Sequence, residues 1–255
     1  MSQIFSCRVC DSFSLKEVIK FPDLYRVTSD CKPFDPGGRL AICQECGAVQ
    51  KPSDQKWLDE TSDIYANYSA YFQSDVIEQA VFDANSGEPS LRSEVVLDKM
   101  STLIEIPESG DLIDVGCGSG AFLASFSSKI DGWNLFGQDL TENHLSNLKS
   151  IYNFQKLYTC DIQEITEKFD LVSMVHVLEH IPNPVSALKT AKKLLKPNGA
   201  ILIQVPNCQM TPLDLLVADH ASHFTIQDFK CMLARAGLNA LAISDQWVTK
   251  ELSVV

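Results

Sequence analysis

Three groups of residues in this chain carry chemistry in their types and spacing. The first is Asp114-Val115-Gly116-Cys117-Gly118-Ser119-Gly120, an acid followed by glycines at alternate positions. A glycine-rich turn lets a ligand approach the backbone closely, and a helix start beyond it offers free N–H groups. The spacing is G-x-G-x-G rather than the G-x-G-x-x-G of dinucleotide-binding turns. The second group is His176, His180, His220 and His223, four of the five histidines, with Asp219 directly before His220. Imidazole is the side chain suited to moving a proton near neutral pH, so a general base is the chemistry this grouping offers. The third group is two C-x2-C pairs, Cys7/Cys10 and Cys43/Cys46. Each pair can form a tight knuckle, and two knuckles complete a tetrahedral thiolate shell for zinc. Such a closed site is structural, with no open position for chemistry.

These residues need elements to hold them. From about residue 106, apolar runs at 111–116, 134–140, 155–160, 169–177 and 199–206 read as strands. Helical patterns separate them. One spans 183–196, with Val185, Leu188, Ala191, Leu194 and Leu195 on one face and Asn198-Gly199 as its stop. Alternating strand and helix implies a parallel sheet with helices on both faces. The end differs: a helix over 225–236 capped by Gly237, then two adjacent strands at 240–244 and 251–255, an antiparallel hairpin. In open α/β sheets ligands sit outside the carboxyl ends of the strands. Asp114, Asp139-Leu140 and Asp161-Ile162 all fall at such ends, as do the four histidines. Asp139 can accept from ribose hydroxyls and Asp161 from an adenine amine. The alternative for each is a helix N-cap. His144, on a surface helix, is assigned no role.

Residues 1–60 form a separate zinc-binding module by this reading. Pro22, Pro33, Pro36, Gly37 and Gly38 break up the segment between the cysteine pairs, which is too polar to build its own core. Residues 52–60 read as a linker, and 61–105 as a helical lid or linker. Tyr65, Tyr68 and Tyr71 lie on one face of a helix there, either packing against the main domain or reaching a substrate. Leu91, Val95, Val96, Leu97, Met100, Leu103 and Ile104 mark an amphipathic helix leading into the main domain at 106–255. A net charge of −12 with no basic cluster argues against a nucleic-acid partner. Nine cysteines without a secretory start point to reduced thiols and a cytoplasmic location, and no apolar run approaches a membrane span.

Asp114–Gly120, Asp139, Asp161 and His176-Val177-Leu178-Glu179-His180-Ile181-Pro182 together resemble the class I S-adenosylmethionine (SAM)-dependent methyltransferases. The resemblance covers roughly residues 106–255. It implies a Rossmann-like seven-stranded sheet of order 3-2-1-4-5-7-6. It also implies SAM held by Asp114, Gly116, Cys117, Gly118, Gly120, Asp139, Leu140, Asp161, Ile162 and His176. With the four-cysteine module and the tyrosines, the whole chain is similar to a narrower group, the sugar C-methyltransferases of deoxysugar pathways. That likeness implies a small-molecule acceptor, a nucleotide-linked sugar methylated at carbon or hydroxyl. It implies His180 or His220 as base, with Asp219, Tyr68 and Tyr71 in support. The chain departs from the group at Val217, where a tyrosine is expected, and at Asp219, where a glutamate is expected. A further C-terminal domain of the group is not in this sequence. Two rival readings stand beside it. One is a metal-assisted O-methyltransferase using Glu179, His180 and His220 or His223 on a catechol-like acceptor. The other is a non-catalytic scaffold that binds a partner.

Overall fold

The computed structural model describes residues 5–68, 78, 80–82 and 87–255. Its centre is a seven-stranded mixed sheet. The strands are β1 (Gly110–Val115), β2 (Trp133–Gln138), β3 (Phe154–Tyr158), β4 (Phe169–Val175), β5 (Leu195–Pro206), β6 (Ile243–Ser244) and β7 (Glu251–Val254). They run in the order β3-β2-β1-β4-β5-β7-β6. The first five are mutually parallel, and β7 lies antiparallel to both β5 and β6.

Alternation along each strand feeds two cores. Ile113, Val115, Val172 and Met174 face one layer, with α5 (Pro184–Leu194) and α6 (Ile226–Ala236). Leu112 and Leu171 face the other, with α2 (Arg92–Ser101), α3 (Ala121–Lys129) and the short α4 (Leu145–Ser150). Leu112, Leu123 and Leu188 are all fully buried. Truncating any of them to alanine removes about 2–5 kcal/mol by the usual cavity and transfer costs. The α5 helix stops at Leu194, earlier than the Asn198-Gly199 stop expected. Leu195 is already extended, and Lys196 precedes Pro197, which disfavours helical backbone.

The N-terminal sixty residues are less separate than their composition implies. Short strands at Leu15–Glu17, Ala41–Cys43 and Val49–Gln50 form an antiparallel sheet whose fourth member is Ser222–His223 of the main domain. Cys7, Val9, Cys43 and Ala48 join the same core as Phe229 and Met232 of α6. A segment without a core of its own thus shares that of its neighbour.

The expected linker at 52–60 is also corrected. Helix α1 (Gln55–Ala66) begins inside it, capped by Asp54, whose side chain accepts from Trp57 N. Trp57, Thr61 and Ile64 form its buried stripe, and Trp57 Nε1 donates to Ala218 O at 3.0 Å. The polar residues that suggested a linker are the outer face of this helix. No described helix is long and apolar enough to cross a membrane.

Candidate functional site

The turn between β1 and α3 is built by glycine. Gly116, Gly118 and Gly120 have φ of +67°, +50° and +88°. A Cβ on Gly116 would stand 2.2 Å from Val177 Cγ2, so both the backbone conformation and the space require glycine there. Cys117 is buried against Gly137 of β2, leaving the turn's outer side to backbone. Ser119 Oγ is buried and lacks a partner among the described residues. Asp139 braces the turn: Gly118 N donates to its Oδ2 at 3.0 Å and Thr141 N to its Oδ1 at 3.1 Å. Leu140 beside it is exposed. Asp114 lies beneath, buried, accepting from Ser173 Oγ at 2.6 Å, and burial pushes its carboxyl up to about 7. Asp161 caps the short 3₁₀ turn Ile162–Glu164 by accepting from Gln163 N at 2.8 Å, the N-cap alternative for that residue. The glycine turn, the free N–H groups at the start of α3 and the unpartnered Ser119 hydroxyl fit a polar ligand laid across the edge of β1 and β2.

The histidines follow the adjacent strands. His176, just after β4, has a φ of +54°; its Nε2 lies 3.1 Å from Glu251 Oε1 and its Nδ1 3.4 Å from Glu179 Oε1. Burial pulls this imidazole's pKa down, but Glu251 and Glu179 outweigh it and raise the value to about 9. His180 Nδ1 lies 3.0 Å from Tyr65 Oη and 3.4 Å from Asp219 Oδ2. Burial again opposes the charge on His180, and Asp219 with Glu179 turns the net shift upward. Asp219 is fully buried and accepts from Ser29 N at 2.9 Å and Ser29 Oγ at 2.5 Å. The His180 and His220 rings stand edge to face, 4.6 Å between centroids.

Adjacency in the chain does not set the acid–imidazole pairs. Asp219 pairs with His180, whereas His220 Nδ1 lies 2.7 Å from Asp214 Oδ1. His223 Nδ1 takes the other oxygen of Asp214 at 2.6 Å and is wholly enclosed. Glu179 is buried, and neither of its oxygens has a hydrogen-bond partner among the described residues. Ligand atoms of Glu179, His180 and His220 lie within 4.8 Å of one another. Tyr65 sits in α1 and reaches His180, and the Tyr68 ring packs edge-on to Tyr65 at 6.3 Å. Tyr71 lies outside the described residues. Sequence reading passed over Asp214, Ser29 and Lys51. Nothing in their spacing marks them, because their partners come from other elements.

The four cysteines converge at the base of the N-terminal sheet. Cys7 Sγ is 3.6 Å from Cys46 Sγ, Cys10 Sγ is 3.6 Å from Cys43 Sγ, and all four sulfurs lie within 4.8 Å of one another. Zinc–thiolate bonds of about 2.3 Å in a tetrahedron set sulfurs about 3.8 Å apart, so the donor set and its spacing fit that ion. Gly47, with φ of +81°, makes the turn after the second pair.

The fold is that of the SAM-dependent methyltransferases, and the chain belongs to the methyltransferase domain family, which matches residues 90–243, more than half of its length. Among curated relatives, a ubiquinone biosynthesis O-methyltransferase of Dechloromonas aromatica is 30% identical over 127 residues, covering 46% of this chain and 52% of the relative. The chain thus spans about half the length of the curated relatives it matches. A SAM-dependent methyltransferase from Clostridium acetobutylicum superposes with a TM-score of 0.52 at 16% identity, covering 64% of this chain and 88% of that one. The mitomycin 7-O-methyltransferase gives 0.54 at 17% identity, over 64% and 52%. At these identities the two structures speak for the fold alone.

Proposed function

We propose that the protein transfers the methyl group of SAM to a small-molecule acceptor and that His180, held by Asp219, removes the acceptor's proton. The observation that supports it is the His180–Asp219 pair at the carboxyl edge of β4, one strand from the glycine turn. SAM supplies a methyl on a sulfonium that is already a good leaving group, so alignment and proton removal remain for the protein. The glycine turn and Asp139 hold the donor, and Asp139 takes the ribose. His180 withdraws a proton from carbon beside a ketone, or from a hydroxyl, and Asp219 stabilises the imidazolium. Tyr65 Oη meets the same Nδ1 and helps fix the ring, leaving Nε2 toward the acceptor. The acceptor is a nucleotide-linked sugar, and the four-cysteine site binds zinc.

The test is mass spectrometry of a panel of nucleotide-linked ketosugars incubated with SAM, alongside deuterium wash-in at the carbon next to the ketone. Methyl gain with wash-in, both lost in His180→Asn, supports carbon methylation. Absence of SAM binding by calorimetry overturns the reading.

A second reading is metal-assisted O-methylation of a catechol-like acceptor. The buried carboxylate of Glu179, which makes no hydrogen bond among the described residues and lies beside His180 and His220, favours it. Those three residues would hold a hard divalent ion, which would bind the acceptor's oxygens. Turnover lost on chelation and restored by magnesium, with zinc content at the cysteines unchanged, selects this reading over the first.

A further inference from the structure

We propose that Lys51 is a positioning residue, fixing the ring of His220 through His223 and Asp214. The proposal rests on reading the His180–His220 pair as the acceptor side of the site. Lys51 follows the second cysteine pair and the strand Val49–Gln50, whose partner is Ser222–His223, and Lys51 N donates to Ala221 O at 3.0 Å. Its side chain therefore enters the main domain directly behind the histidine segment. It is 1% exposed.

Donor and acceptor rules set the direction of the whole chain of contacts. An ammonium has three donors and no acceptor. Lys51 Nζ meets Val217 O at 2.5 Å, His220 O at 3.2 Å and His223 Nε2 at 3.0 Å. His223 Nε2 must then accept, so the single proton of the neutral ring sits on Nδ1 and is donated to Asp214 Oδ2 at 2.6 Å. Asp214, ionised, only accepts, so its Oδ1 receives the proton of His220 Nδ1 at 2.7 Å. His220 is left with Nε2 as its free nitrogen, and among the described residues that atom makes no hydrogen bond. Burial holds His223 neutral, its pKa lowered to about 3, and lowers Lys51 to about 7 against the pull of Asp214 and Asp219. A packing role alone would be met by a methionine of the same length. The three directed donors are what a methionine lacks.

The test is a long-range proton–nitrogen spectrum of the imidazoles in the full-length protein at pH 6.5, assigned with His220→Gln and His223→Gln. The expected result is a neutral His223 with its proton on Nδ1 and Nε2 as an acceptor nitrogen. A proton on His223 Nε2 in the wild-type protein overturns the proposal, and that measurement needs no Lys51 variant. In Lys51→Met, Asp214 should keep the proton on His223 Nδ1 while Nε2 loses its donor, so the Nε2 signal should move toward that of an unbonded acceptor nitrogen and the His220 signals should move with it. Turnover should fall by on the order of 10²-fold, as misplacement of a reacting group commonly produces, with KM for SAM held. Unchanged His220 and His223 signals in folded Lys51→Met, or unchanged turnover, also overturn it. The spectrum reads hydrogen-bond polarity whether or not methyl transfer is detected, so the two proposals fail separately.

Discussion

Asp219 reaches His180, thirty-nine residues away, and not His220, its neighbour in the chain: the Asp219 Oδ2–His180 Nδ1 distance is 3.4 Å. Ser29 holds the carboxylate in place by donating from its N–H to Oδ1 and from its hydroxyl to Oδ2. The acid is thereby aimed at one imidazole and raises its pKa above the ordinary histidine value.

A base must be neutral to accept a proton, so turnover should climb with pH through the raised pKa of His180. Asp219→Asn removes the charge that favours the imidazolium and should move that climb to lower pH. His180→Ala should cost about 10²–10⁴-fold in turnover, the usual contribution of a general base. Profiles of kcat against pH check both; an unmoved profile in Asp219→Asn excludes the pairing as the cause.

Gly116→Ala should destabilise the turn by about 1–3 kcal/mol for the left-handed backbone alone, with a further steric term from Val177. In the double variant with Val177→Ala the steric part should disappear and the backbone part persist. Denaturation midpoints of the four proteins give the coupling; strict additivity would show that the two residues do not meet.

Asp139→Ala should weaken SAM by on the order of 1–3 kcal/mol per lost hydrogen bond in a dehydrated site. Calorimetry on the folded variant decides, and unchanged affinity removes Asp139 from the donor site.

Freshly purified protein should contain one zinc per chain, lost on Cys43→Ser. Because Val49–Gln50 pairs with Ser222–His223, metal loss should lower turnover as well as loosen the N-terminal sheet. Elemental analysis beside an activity measurement checks it; full turnover in zinc-free protein would separate the module from the site.

His176 makes stability depend on pH. Its folded pKa, raised to about 9, lies above the ordinary value of about 6.5. The protonated folded state is therefore favoured, and this contribution is fully present below about 6.5 and lost as pH rises through about 9. Glu251→Gln should flatten that loss. Urea midpoints at pH 6 and pH 9.5 test it, and an equal decline in both proteins would assign the effect to other groups.

The main domain was legible because its signals are local. Alternating apolar runs, the glycine turn and the Gly237 stop each act within a few residues, and the strands β1 to β5 overlap the apolar runs closely. The site was half legible. His180, His220 and the cysteine pairs declare themselves by type and spacing. Ser29 and Lys51 act through partners far along the chain, as in the 190-residue separation of Ser29 from Asp219, and Asp214 through histidines six and nine residues on, across irregular chain that no helix or strand period marks. Residues 52–60 misled for a different reason: a helix with one buried stripe and a polar outer face has the composition of a linker unless its Asp54 cap and Trp57 are weighed together.

The strand shared by Val49–Gln50 and Ser222–His223 governs how this protein can be cut and recombined. A fragment trimmed to the family-matched stretch, 90–243, would keep the glycine turn yet lose Ser29, Lys51 and Tyr65, and with them the partners that set Asp219, His223 and His180. Chimaeras built on this chain must therefore carry the first sixty-eight residues and the 212–224 segment across as one inheritance.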